Sequence, residues 1–438
     1  MNIENMLHAV NEYFGKSAEQ AAKDTNFVRR ESKINGTFFL KTLVFGFLNN
    51  TLSSLNDLTE FCKKQFGVKI SAQGLDERIN EFSLKFMEKM FKLALEKFFH
   101  KVKLPIEILQ QFTSVNITDS TVVSLPEKLA GEFPGCGGSA SKAALKIQLV
   151  LDFLTGSFQK VTLTDGITPD QKYKEHIDVV KPNSLNMFDL GYFTLNHLKA
   201  IMDKQAYFLC RLLLQTDLYD EAGNKVNLLS LLRAESRNSF ELCLFIGKKM
   251  LLPIRVLFFK VPQEITEIRR RNAKKEASKK GRMPSKISLE LMGWTILITN
   301  APIALLSIEH AGLFYSVRWQ IELIFKLWKS HMKLDCISGY RKERILVQLY
   351  AKLIGLVLFQ FVSMPVWQKD INISPVKSFK RFKEHIKEFV GTIDLLEALK
   401  EVVEEIHSAM MEFAKREKRK KRLTTSQQLV LGVDYFLA

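Results

Sequence analysis

The spacing of apolar residues changes near residue 110, and this change restricts the folds that the chain can adopt. Before it, apolar residues recur every three or four positions and the first proline is Pro105, so residues 1–105 are predicted to be helical. After it, three segments show the pattern of short strands: residues 114–118, 144–153 and 158–164. The chain is therefore predicted to join a helical N-terminal region to a sheet.

Helical and strand-like segments alternate after these strands. A helical stretch at about 169–180 precedes a short apolar segment at 186–188, and a helix at about 194–203 precedes a strand at 206–214. Three strands, helix, strand, helix, strand is the order of a ribonuclease-H-like sheet. We predict the α/β class: a ribonuclease-H-like mixed sheet core with a β-rich insertion, flanked by helical N- and C-terminal domains.

The charge of the chain indicates a polyanionic partner. Its 64 lysines and arginines exceed its 47 aspartates and glutamates by 17, and two basic blocks stand out, residues 269–282 and 415–422. Such blocks are solvated charge runs by default, and in a nucleic-acid enzyme they are expected to track phosphates. Residues 54–66 and 71–82 have the outline of a helix-turn-helix, which an ordinary helical hairpin shares.

Three features favour a cytoplasmic protein with no membrane partner. The first twenty residues contain no basic stretch followed by an apolar run, as a secretion signal requires. The five cysteines lie dozens of residues apart, which argues against disulfide and zinc frameworks. Residues 345–367 approach the length of a membrane span, but Lys352 and Pro365 favour a buried core helix.

Residues 315–329 (YSVRWQIELIFKLWK) carry the most informative pattern. On a helix, Tyr315, Arg318, Glu322 and Lys329 fall within an arc of about 60°, beside a separate apolar stripe. A phenol, cations and one carboxylate therefore share a face. A solvated charged face is the alternative, in which Arg318 and Glu322 simply stabilise the helix by roughly 0.2–0.5 kcal/mol.

Two aspartates change the balance. Asp119 ends the first predicted strand and Asp189 follows the fourth, positions where each alone has an ordinary turn role. In this sheet order the ends of those strands are adjacent, and a later helix can bring Glu322 beside them. Three converging carboxylates repel one another unless cations neutralise them, and oxygen ligands suit Mg²⁺ or Mn²⁺. Two such ions about 3.5–4 Å apart support in-line phosphoryl transfer, so the face is predicted to cut phosphodiesters.

These residues resemble a known family. Asp119 in D-S-T, Asp189 in D-L-G-Y-F and the Tyr-x2-Arg-x3-Glu-x6-Lys spacing of residues 315–329 are similar to the DDE transposases of the bacterial insertion-sequence-4 group. That group carries a Tyr-Arg-Glu-Lys signature and includes the cut-and-paste transposase of the kanamycin-resistance composite transposon. The resemblance covers roughly residues 50–425.

The resemblance implies roles for individual residues. Asp119, Asp189 and Glu322 would be catalytic and would ligate two Mg²⁺ or Mn²⁺ ions. Contacts to DNA phosphates are implied for four side chains, namely Tyr315, Arg318, Lys326 and Lys329. Trp294 would stack on a base flipped from the transposon end, the alternative being a core tryptophan in a strand. Stacking of a base on an aromatic ring is worth roughly 1–3 kcal/mol.

The resemblance also implies the reaction and the partners. The chain would bind the terminal inverted repeats of an insertion sequence in double-stranded DNA, nick to a 3′-hydroxyl, pass through a hairpin and transfer strands into target DNA as a homodimer. It would be cytoplasmic, bacterial and nucleoid-associated. A domesticated, non-catalytic DNA-binding protein is one rival, and a stand-alone metal-dependent nuclease is another.

The predicted domains follow the changes in pattern along the chain. They are a helical N-terminal DNA-recognition domain at 1–105, the first part of the core at 106–214, a β-rich insertion at 215–303, the core helix carrying Glu322 at 304–343, and a helical C-terminal region for dimerisation and DNA contact at 344–438.

Overall fold

A computed structural model of the chain gives the fold, and it divides into two compact units. It describes residues 3–30, 33–99, 101–138, 140–279, 281–417, 423 and 425–431. Unit 1 comprises residues 1–105, 120–168 and 320–422, and unit 2 comprises residues 106–119, 169–319 and 423–438. The predicted domain boundaries stay a prediction.

Helices dominate both ends of the chain. In the N-terminal part they are α1 Ile3–Glu12, α2 Ala18–Asp24, α3 Gly36–Asn49, α4 Leu55–Phe66, α5 Ala72–Arg78 and α6 Glu81–Lys97. The middle holds α7 Leu195–Asp203, α8 Leu228–Ala234, α9 Gln263–Lys279, α10 Lys286–Leu291, α11 Ile308–Ser316 and α12 Trp319–Ser330. The C-terminal part holds α13 Lys342–Lys369, α14 Pro375–Glu384, α15 Ile386–Thr392, α16 Leu396–Phe413 and α17 Thr425–Leu431.

Nine strands form one mixed sheet. They are β1 Val115–Leu125, β2 Ala143–Asp152, β3 Ser157–Asp165, β4 Leu185–Phe188, β5 Tyr207–Arg211, β6 Leu218–Tyr219, β7 Ser239–Ile246, β8 Leu252–Lys260 and β9 Trp294–Thr299. Their order is β3-β2-β1-β4-β5-β9-β8-β7-β6. β4 is parallel to both β1 and β5, whereas β2–β3 and β5–β9–β8–β7–β6 pair antiparallel. The mixed sheet with helical ends confirms the predicted ribonuclease-H-like α/β class.

Local capping explains where the N-terminal helices begin. Ser54 and Asp57 form a reciprocal capping box at the start of α4, and Ser71 caps α5. Gly67, with φ of 69°, ends α4 in the left-handed conformation that glycine favours. The helix-turn-helix outline is present, but its second helix ends at Arg78 rather than 82, because Asn80 caps the start of α6.

The apolar segment near the C-terminus is a core helix of unit 1, as predicted. α13 is the one described helix that is long and apolar enough to cross a membrane, and 94% of its apolar window is buried inside the protein. Its Phe361 ring stacks on Phe98 at 5.0 Å, and its Tyr350 ring lies 5.5 Å from Phe91 of α6. Burial by α3 and α6 accounts for its composition.

Two local predictions differ from the structure. β1 continues to Leu125, so Asp119 lies inside a strand and not at its end. Residues 169–180 form two 3-10 turns rather than a helix, because Tyr173 and His176 turn inward and stack at 5.6 Å. Residues 215–303, the predicted insertion, contain the strands β6–β9, and their basic block falls largely on the helix α9.

Candidate active site

Asp119, inside β1, and Asp189, the residue that follows β4, occupy corresponding positions on two neighbouring parallel strands. Thr118 of β1 pairs with Phe188 of β4, and each aspartate is the next residue along its chain. Neighbouring strands lie about 4.8 Å apart, so the two carboxylates rise from adjoining backbone positions. Asp189 also accepts a 2.8 Å hydrogen bond from the Gly191 amide and caps the turn that follows β4. The predicted adjacency of these strands is confirmed.

Arg318 brings a positive charge to Asp119. Its guanidinium lies 3.3 Å from a carboxylate oxygen of Asp119, and both side chains are about five-sixths buried, at 17% and 16% exposure. The prediction of one continuous helix over residues 315–329 is wrong: Arg318 lies in the two-residue break between α11 and α12. The break turns its side chain towards the strand that carries Asp119.

Tyr315, one turn earlier on α11, is buried beside the same charges. Burial raises the pKa of Tyr315 to about 12; the charges of Arg318 and Arg211 oppose this rise, and that of Asp189 adds to it. Its phenol is therefore protonated at neutral pH, so its hydroxyl has a proton to donate and is not a base. The guanidinium of Arg318 lies 6.0 Å from its ring centre.

Arg211 is a residue of this site that sequence reasoning missed. It ends β5, the strand next to β4, and its side chain is exposed. Burial lowers the pKa of Arg269, and the positive charge of Arg211 lowers it further. The signal in the sequence that could have identified Arg211 is its place as a basic residue at the end of the strand next to β4.

Trp294 opens β9 in the same unit. Its ring meets Phe240 edge-on at 5.8 Å, and the side chain is half-buried. Arg269 donates to the Thr295 hydroxyl at 3.1 Å beside it. Trp294 therefore packs partly as a core tryptophan of a strand, which was the alternative to base stacking. The rest of its side chain is exposed.

Unit 1 carries the remaining predicted site residues on α12. Glu322 and Lys329 are half-buried and Lys326 is exposed. The buried face of this helix includes Phe325 and Trp328, whose rings contact one another at 5.5 Å. Packing of this face fixes which sides of α12 remain outside the core.

Within the described residues, no group of three or more histidine, cysteine, aspartate or glutamate side chains is close enough to hold a metal ion. Unit 2 therefore offers two neighbouring carboxylates, one of them paired with an arginine, a protonated phenol and a second arginine. The arginines and the phenol can bind a phosphate beside the two carboxylates.

Comparison with known proteins places this geometry in a family. Residues 110–358, more than half of the chain, match the family model described as the transposase DDE domain. The chain belongs to the DDE transposase family. It is similar to the transposase for insertion sequence element IS231F of Bacillus thuringiensis subsp. israelensis, at 26% identity over 95% of this chain and 92% of the relative.

Two further relatives agree. The chain is 29% identical to the transposase for insertion sequence element IS1151 of Clostridium perfringens, over 82% of this chain and 81% of the relative. It is 27% identical to the transposase for IS231B of Bacillus thuringiensis subsp. berliner, over 84% and 82% respectively. Family membership makes the chain a transposase, an enzyme of DNA cleavage and strand transfer, and the matched residues 110–358 include every predicted site residue.

Proposed function

We propose that this transposase moves an insertion sequence by cut-and-paste transposition, with Asp119, Asp189 and Glu322 as its catalytic carboxylates. The observation that carries the proposal is the pairing of Thr118 with Phe188, which gives the two aspartates adjoining positions inside the family's DDE domain. The insertion-sequence-4 signature and the homodimer on two ends belong to the same proposal, as does a cytoplasmic, nucleoid-associated location.

The three carboxylates suit divalent metal ions by their chemistry. Asp119, Asp189 and Glu322 would hold two Mg²⁺ or Mn²⁺ ions, because both metals prefer carboxylate oxygens. Bound ions of this kind supply charge neutralisation and activation of an oxygen nucleophile. Arg318 already neutralises part of the charge of Asp119, at a distance of 3.3 Å.

The other side chains bind and orient the DNA. Arg318 and the protonated phenol of Tyr315 can donate to phosphate oxygens next to the aspartates, and charge-assisted bonds of this kind are about twice as strong as neutral ones. Lys326 and Lys329 supply further phosphate contacts from α12. Trp294 stacks on a base that leaves the duplex, using the part of its ring that Phe240 does not cover.

Cleavage of a labelled end tests the proposal. The substrate is a duplex carrying the inverted repeat that flanks the gene, incubated with Mg²⁺. Asp119→Asn and Glu322→Gln should bind the end as wild type does and lose cleavage. The matched controls Asp203→Asn and Glu60→Gln remove exposed carboxylates that pair with surface lysines, and they should cleave normally.

Two results would overturn this assignment. Retained cleavage in either site variant would remove that carboxylate from the catalytic set. Specific end binding by wild-type protein without any Mg²⁺- or Mn²⁺-dependent cutting would instead favour the rival function, a non-catalytic DNA-binding protein.

A further inference from the structure

Four basic side chains gather in unit 1 beyond the C-terminal end of α12. His331 and Lys333 lie in the turn after this helix, and Lys380 and Lys383 lie on α14. Burial lowers the pKa of His331, and the positive charges of the three lysines lower it further. Contacts with α13 bring the two elements to one face of that helix, since Lys352 bonds to the turn at Lys333 and Phe359, two turns further on, packs against α14.

Packing on α13 holds α14 in this position. Phe379 and Phe382 of α14 are buried against Phe359 of α13, at ring distances of 5.0 and 5.6 Å. Ser374 caps the helix and Pro375 opens it. Since the aromatic face is turned to the core, the lysines of α14 lie on its outer and flanking sides.

The turn after α12 is fixed by the same helix α13. Lys333 adopts a left-handed conformation, with φ of 51°, which is uncommon for a residue other than glycine. Its carbonyl accepts a 2.7 Å hydrogen bond from the buried ammonium of Lys352. This hydrogen bond fixes the backbone of the turn from which the Lys333 side chain projects.

Among the described residues, the three lysines of this cluster have no carboxylate counter-ion. Residues 375–387 contain five lysines and arginines and one acidic residue, Glu384, which pairs with Arg381. In the described part of the chain, no carboxylate lies within 4 Å of the ammonium groups of Lys333, Lys380 or Lys383. Like charges held together in partial burial are costly, and an anionic ligand removes that cost.

The arrangement fits an extended polyanion better than a single phosphate ion. Lys326 and Lys329 precede the cluster on α12, about 4.5 Å apart along the helix axis because a helix rises 1.5 Å per residue. At the start of α14, Lys377 donates to the Lys415 carbonyl at 3.0 Å and pairs with Glu417 at 3.5 Å. Lys415 begins the second basic block, whose residues 418–422 lie outside the described part of the chain.

We propose that His331, Lys333, Lys380 and Lys383 form a phosphate-binding surface for the backbone of duplex DNA, continuing the row of Lys326 and Lys329. This inference rests on the proposed function, because it takes the transposon end as the bound DNA. The surface reads no sequence, and it holds the duplex alongside the helix that carries Glu322.

The salt dependence of DNA binding tests the surface. Affinity for a duplex of about 40 base pairs carrying the inverted repeat is measured between about 50 and 200 mM salt, using Glu322→Gln protein so that the DNA stays intact. Each phosphate contact adds about 0.9 to the slope of log affinity against log salt. Lys380→Ala/Lys383→Ala should therefore lower the slope by nearly two, which makes the loss of affinity over this range about tenfold smaller.

Matched variants separate this effect from damage to the fold. Lys380→Arg/Lys383→Arg should keep the wild-type slope. Lys199→Ala/Lys225→Ala removes two exposed lysines of unit 2, each paired with an aspartate, and should also keep it.

An unchanged slope in Lys380→Ala/Lys383→Ala would overturn the proposed surface, even if wild-type protein cleaves the end normally. Absence of cleavage by wild-type protein, with the slope lowered in this variant, would instead count against the proposed function and leave the surface standing.

Discussion

Lys352 offers the sharpest test of how the end of α12 is held. Its side chain is 1% exposed on α13, and its ammonium donates to the carbonyls of Lys333 and Cys336 at 2.7 and 2.9 Å. It also lies 5.5 Å from the ring centre of Phe47. Burial lowers the pKa of Lys352 from 10.5 to about 8, against the opposing influence of Cys336 and Asp335. Replacing it with methionine removes both the charge and the two hydrogen bonds.

The pKa of Lys352 sets the size and the sign of the effect. Lowering a pKa from 10.5 to about 8 corresponds to about 3 kcal/mol, since one pKa unit is worth about 1.4 kcal/mol. Between these pH values the unfolded chain keeps the proton that the folded protein has released, so the free energy of unfolding rises with pH. The cost of burying the charge is present below pH 8 and is lost as the pH approaches 10.5.

Urea unfolding of wild-type protein and Lys352→Met, from about pH 7 to 10.5, measures this difference. The free energy of unfolding of wild type should gain about 3 kcal/mol relative to the variant over that range. Lys64→Met, which removes an exposed lysine paired with Glu60, supplies the reference for the loss of one positive charge. Parallel curves for wild type and Lys352→Met would refute the argument, because the buried ammonium would then contribute nothing that depends on its proton.

Two further variants separate binding from chemistry. Tyr315→Phe keeps the buried ring and removes the hydroxyl, so the fold should survive while single-turnover cleavage falls by about ten- to a hundredfold, the value of one hydrogen bond to a charged group; an unchanged rate would exclude a role for the phenol. Lys329→Ala should reduce the salt slope of end binding by about one, as loss of a single phosphate contact does; wild-type affinity throughout the salt titration would remove Lys329 from the DNA-binding set.

The neighbouring positions of Asp119 and Asp189 were predictable from the sequence, but the length of β1 was not. Strand-like spacing and the order of the segments are sufficient to place the first and fourth strands side by side, and the pairing of Thr118 with Phe188 agrees. Aspartate is depleted in strands, so the pattern suggested that β1 ended there. Arg318 neutralises Asp119 at 3.3 Å and allows the strand to continue, and that partner lies 199 residues away.

The helix break at Val317 and Arg318 has the same kind of cause. Residues 315–329 contain neither proline nor glycine, and their apolar spacing runs on without interruption, so local rules predict one helix. In the structure Val317 is fully buried and Arg318 pairs with Asp119. These tertiary contacts outweigh the local preference, and a pattern confined to neighbouring residues contains no information about them.

The break also divides the predicted charged face into two parts on different segments of the chain. On one continuous helix, Arg318 would be tied by a single axis to Lys326 and Lys329. Because the chain turns between α11 and α12, Arg318 pairs with Asp119 inside β1, whereas Lys326 and Lys329 lie on α12. The charge pairing at Asp119 and the phosphate contacts proposed for the two lysines therefore come from different segments of the chain, and separate variants can test them.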